Sequence, residues 1–175
     1  IAGASGDMKT FLALYLCIMI AAGTKLAKLK VTQAGVVYMA NEGQVGLGSR
    51  LAALLNFMDI PAPDNFRVIQ STPDLMFRGS LEEYVETLKA LGFPLGILVI
   101  DTMSKASLGG TETDNSDMAE AMDTAKELAD HFGCFVLLID HVGKDKKKGV
   151  RGASSKFSNA TNSDRNSPRV LCFLE

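Results

Sequence analysis

Cysteine is scarce in this chain, and the three present, Cys17, Cys134 and Cys172, stand far apart. An odd number at such spacing builds no disulfide framework and offers no zinc-ligand pair. Cys17 and Cys134 lie in strongly apolar runs, which reads as buried free thiols in a reducing cytoplasm. A large excess of charge of one sign is also missing. A formal net charge of -2 argues against a protein that coats nucleic acid over its whole surface, and leaves room for one basic loop. Long hydrophobic runs are lacking too. Phe11 to Ala22 is apolar nearly all round, but falls short of the roughly 20 residues a bilayer requires. It follows a glycine-bearing loop ending in Lys9-Thr10, so it predicts a buried helix inside a domain rather than a leader or a membrane span. No internal repeat is visible.

What is present fits one soluble globular domain. The 175 residues suit one sizeable core and are too few for two. Ile1-Ala2 looks like the stub of a strand, and Arg169 to Glu175 like a closing strand, so residues 1–175 read as a single domain lacking parts of both ends. Val36 to Ala40 predicts a buried strand opening at Asn41-Glu42-Gly43. Gly46 to Met58 carries Leu47, Leu51, Leu54, Leu55 and Met58 at helical spacing, stopped by Pro61 and Pro63. Phe66 to Ile69 predicts a second strand. Ser80 and Glu83 form a capping-box pattern for a helix running to about Leu91. Gly96 to Asp101 and Cys134 to His141 are apolar runs closed by polar residues. Between them lie a polar loop from Ser104 to Ser116 and an amphipathic helix from Asp117 to Phe132. Strands that are apolar throughout, alternating with helices, predict an α/β fold: a mainly parallel sheet with helices on both faces. Ligands of such sheets bind beyond the carboxyl ends of the strands.

The residues at those ends carry the chemistry. Gly3-Ala4-Ser5-Gly6-Asp7-Met8-Lys9-Thr10, leading into Phe11, approximates the phosphate-loop pattern G-x-x-x-x-G-K-[ST]. Backbone N–H groups and a helix N-terminus hold phosphate oxygens in such a loop, so ATP is the expected ligand. Lys9 would reach the outer phosphates, and the Thr10 hydroxyl would serve Mg²⁺. Met8 stands where glycine is usual, which a bulky side chain permits only if it points away from the nucleotide. Asp101 closes its strand where a second magnesium-holding group belongs, although strand-end aspartates also cap turns. Glu42 could take a proton from, or orient, an attacking water, or be a plain loop residue. His141 could touch the γ-phosphate, or be satisfied by a neighbouring strand end. His131, late in an amphipathic helix, is read as a surface residue.

Val142 to Gly152 follows His141 with Lys144, Lys146, Lys147, Lys148 and Arg151 against Asp145. Such a loop suits nucleic-acid phosphates, or simply solvent. It has no aromatic residue for base stacking, so binding would be weakly sequence-selective. Arg151 could complete a neighbouring subunit's site or make a local ion pair. Arg165 and Arg169 are rivals for that role.

Taken in order, several segments resemble the RecA-like ATPases of plasmids and phages, including RepA-type replicative helicases. They are Gly3 to Leu14, Tyr38 to Gln44 with Ser49 to Ala53, Leu98 to Met103, and His141 to Asp145 with Gly149 to Ser155. The resemblance implies a RecA-like P-loop NTPase fold, ATP hydrolysis with Mg²⁺, ring assembly that is often hexameric, and DNA as partner, with single strands the expected form. It maps Lys9 and Thr10 to the phosphate loop, Glu42 to the catalytic glutamate, Asp101 to the magnesium carboxylate and His141 to the sensor. The polar stretch after Ser155 matches poorly. A helicase or replication-associated motor is the leading expectation. A nucleotide-binding regulator without unwinding activity is the alternative. A P-loop small-molecule kinase fits less well, because no arginine-rich lid lies between Asp101 and the chain end.

Overall fold

The computed structural model describes residues 2–3, 8–25, 28–41, 45–71, 74–77, 81–103, 106, 115–141 and 170–171. The elements alternate as the apolar pattern predicts. They are β1 (Ala2–Gly3), α1 (Lys9–Ala22), β2 (Gly35–Ala40), α2 (Leu47–Met58), β3 (Phe66–Ile69), α3 (Leu81–Lys89), β4 (Leu95–Asp101), α4 (Asn115–Phe132), β5 (Phe135–His141) and β6 (Val170–Leu171).

Every strand pairing is parallel, in the order β1-β5-β4-β2-β3, with β6 also paired to β5. Parallel strands run continuously apolar because helices cover both faces, and every residue of β2 is buried. Side chains alternate between the two faces with a period of two. Val36, Tyr38, Ala40, Val99, Leu137 and Ile139 pack with Ala13, Leu14, Cys17 and Ile18 of α1 and with Leu47, Leu51 and Leu55 of α2. Val37, Met39, Leu98, Ile100, Val136 and Leu138 pack with Leu88 of α3 and with Ala121, Met122, Ala125 and Leu128 of α4. The sheet is thus sandwiched, with α1 and α2 on one face and α3 and α4 on the other.

Local details differ modestly from the sequence expectation. Helix α1 is buried on its sheet-facing side only, and Leu12 is half exposed on the other. It ends at Gly23, whose φ of 66° lets its N–H reach the Ile20 carbonyl while Thr24 N–H reaches that of Met19. Helix α3 stops at Lys89, and Leu91 continues only as a turn, bonded to Leu88. Helix α4 starts two residues before the predicted Asp117. The capping residue Ser80 lies outside the described residues. Cys17 and Cys134 are buried free thiols, and burial pushes each up to about 12. Cys172 lies outside the described residues. Among the described residues no helix is long and apolar enough to cross a membrane.

Two glycines separate steric need from mere tolerance. A Cβ on Gly35, at the start of β2, would run into the Phe93 ring and the Pro94 carbonyl oxygen, whereas one on Gly48 of α2 would meet nothing within 4 Å. Gly35→Ala should lower unfolding stability by about 1–3 kcal/mol, as overpacking does. Gly48→Ala should raise it by up to about 1 kcal/mol. Denaturant unfolding of the two variants checks this, and equal effects would contradict the close approach of Phe93 and Pro94 to Gly35.

Candidate functional site

Because the described strands pair in parallel, their carboxyl ends share one edge, and Gly3 of β1, Asp101 of β4 and the backbone of His141 of β5 lie there. The register is specific. Ala40 of β2 pairs with Asp101 of β4, Asp101 pairs with Ile139 of β5, and Gly3 of β1 pairs with His141 of β5. Strand β5 therefore lies between the strand that enters the phosphate loop and the strand that ends in Asp101. The backbone of His141 sits beside Gly3. That strand order was not readable from the sequence.

Lys9 is the first residue of α1, buried at 8% exposure. Met8 caps the helix with φ 57° and ψ 22°, a left-handed conformation, and its side chain is 64% exposed. The methionine thus adopts the backbone geometry that glycine would take, and its side chain is directed outward, as the motif requires. Among the described residues no side chain caps α1 at Met8, and its first turn holds no acidic residue. The positive end of the helix dipole favours an anion there. Phe11, one turn in, is partly buried, with the Arg50 guanidinium 6.0 Å from its ring centre.

Thr10 and Asp101 come together although 91 residues apart. The Thr10 hydroxyl donates to Asp101 Oδ2 at 3.1 Å. Asp101 is 3% exposed, so its carboxylate needs such donors. A second comes from a residue that sequence reasoning placed only in the core: Tyr38, fully buried, donates its hydroxyl to the same Oδ2 at 2.5 Å. Burial, with the Asp101 charge beside it, pushes the Tyr38 phenol far above its usual range, so it stays a neutral donor. The signal available in the sequence was one polar-tipped residue within an otherwise apolar strand. The backbone ties the strands too, through Asn41 N–H to the Asp101 carbonyl at 2.7 Å. Thr102 follows, its hydroxyl buried without a partner among the described residues.

A hydroxyl already turned to a buried carboxylate, at the start of a helix, fits Mg²⁺ and a nucleotide phosphate chain. Hard oxygen ligands of this type suit Mg²⁺. Among the described residues, Lys9, Thr10 and Asp101 are the groups that could hold them. Ala4, Ser5, Gly6, Asp7, Glu42, Lys144, Lys146, Lys147, Lys148 and Arg151 lie outside the described residues, as do the rival arginines Arg165 and Arg169. A separate open depression, lined by Ala21, Thr24, Gln33, Pro61 and Asn65 among others, contains none of the predicted site residues.

A family model described as an AAA domain matches residues 1–147. No curated protein matches the sequence.

Met8 supplies a test of the loop geometry. A non-glycine residue in the left-handed region costs about 1–2 kcal/mol. Met8→Gly should therefore raise unfolding stability by about 0.5–1 kcal/mol, the relief of strain less glycine's extra freedom in the unfolded chain. A lower denaturant midpoint would contradict the left-handed cap.

Proposed function

The chain belongs to the AAA domain family, whose members are nucleotide-binding ATPases with a P-loop α/β fold, and from that premise we propose that it is a RecA-like motor domain that hydrolyses ATP and acts on single-stranded DNA. The observation that carries the ATPase reading is the meeting of Thr10 and Asp101 at the start of α1, 3.1 Å apart. Lys9 binds the outer phosphates as a charge-assisted donor. Thr10 and Asp101 would hold a metal ion, which would supply neutralisation of charge on the phosphate oxygens. Glu42, just beyond the end of β2, orients a water and accepts its proton as the water oxygen attacks the γ-phosphorus. The bond from that phosphorus to the bridging oxygen breaks, leaving ADP and phosphate. His141, whose backbone ends β5 beside Gly3 of β1, senses the γ-phosphate in this reading. Arg151 is the candidate to complete a neighbouring subunit's site in a ring.

The DNA reading is supported by order along the chain. Lys144, Lys146, Lys147 and Lys148 come directly after β5, so a change at the γ-phosphate has a short route to the segment best suited to phosphates of a nucleic acid. The net charge of -2 argues against binding over the whole surface and is compatible with one basic segment. A helicase or replication role, of the kind found in plasmids and phages, is the specific form proposed.

ATPase assays with and without single-stranded DNA test the whole reading. Glu42→Gln should keep ATP binding and lose roughly a hundredfold or more in turnover. Replacing the four lysines with alanine should leave basal turnover intact, abolish stimulation by DNA, and reduce the salt slope of DNA binding by up to about 0.7 per lost phosphate contact. Full turnover in Glu42→Gln would remove that residue from the mechanism. A parent enzyme that hydrolyses ATP without any response to DNA would favour a nucleotide-binding regulator instead.

A further inference from the structure

Tyr38 sits in a position that core packing alone does not account for. It is the only residue of Gly35–Ala40 with a polar side chain. It pairs with Val99, while Asp101 pairs with Ala40. Tyr38 and Asp101 are therefore diagonal neighbours on one face of adjacent strands, a separation a tyrosine ring can span. The ring lies among Leu14, Cys17 and Ile18 of α1, and a phenylalanine would fill that space equally well. What the tyrosine adds is one O–H, and that O–H goes to Asp101 Oδ2, the oxygen that also accepts from Thr10.

Two donors converging on one oxygen fix the plane of the carboxylate before any ligand arrives, so ordering it costs little on binding. The same two strands are joined again one residue beyond the pair, through Asn41 N–H and the Asp101 carbonyl. Glu42 is the next residue along the chain. The bonds from Tyr38 and Asn41 thus lock the end of β2 to Asp101 on either side of the paired Ala40.

We propose that Tyr38 is a positioning residue for the magnesium site: its hydroxyl sets the orientation of the Asp101 carboxylate and ties it to the strand that leads to Glu42. This rests on the reading of Thr10 and Asp101 as the metal-holding pair. Groups that orient a ligand in this way typically contribute ten- to a hundredfold to metal affinity.

The test compares ATP binding by calorimetry in the presence of Mg²⁺ and in EDTA, for the parent, for Tyr38→Phe, and for Ile18→Val, which trims the same core cluster without touching Asp101. The ratio of the two dissociation constants measures what Mg²⁺ adds. In Tyr38→Phe that ratio should fall about tenfold, while affinity in EDTA stays close to the parent's. Ile18→Val should leave the ratio unchanged. An unchanged ratio in a folded Tyr38→Phe overturns the proposal, and so does an equal fall in Ile18→Val. A parent that binds ATP no better with Mg²⁺ removes the metal-site reading itself, and this inference with it. If Tyr38→Phe does not fold, fluorotyrosine incorporated into the parent decides. Its Tyr38 fluorine resonance, assigned with Tyr15→Phe and Tyr84→Phe, should shift when Mg²⁺ joins bound ADP, and a resonance that stays put overturns the proposal.

Discussion

A carboxylate at 3% exposure cannot be left without donors, and most of the site follows from satisfying Asp101. Removing its hydrogen-bond partners would leave a buried charge, among the more costly defects a core can carry. The fold supplies those partners from two directions. The first turn of α1 brings the Thr10 hydroxyl from above the sheet edge, and β2 brings the Tyr38 hydroxyl from within the core. Satisfying Asp101 therefore fixes α1, β2 and β4 relative to one another at the edge where a nucleotide belongs. The needs of folding and of binding coincide at this carboxylate.

Strand order then distributes the remaining groups. Inserting β5 between β1 and β4 brings a strand end with His141 next to the mouth of the phosphate loop. Had β1 paired directly with β4, the backbone of His141 would lie one strand further from Gly3.

Much of this was legible in the residues. Val36 to Ala40, Gly96 to Asp101 and Cys134 to His141 are apolar without alternation, and only a covered parallel sheet explains that. Parallel strands share a carboxyl edge, so Lys9, Thr10, Glu42, Asp101 and His141 could be assigned to one side before any geometry was known, and of these Glu42 lies outside the described residues. The strand order was not legible, because a strand buried on both faces looks the same at the centre of a sheet as one position away. Tyr38 was passed over for a related reason: in a run of core residues, its ring volume dominates and its hydroxyl leaves no periodic trace. Met8 posed the opposite problem. As a residue type it argued against a phosphate loop, and only its left-handed backbone and outward side chain reconcile it with one.

The most direct measurement is a crystal structure of the protein with Mg²⁺ and a non-hydrolysable ATP analogue. The account predicts the phosphate chain against the N-terminus of α1, with Lys9 on its outer oxygens and the metal ion beside the Thr10 hydroxyl and Asp101. A nucleotide bound elsewhere, for example in the depression near Gln33 and Asn65, with Thr10 and Asp101 in contact only with protein, would contradict it.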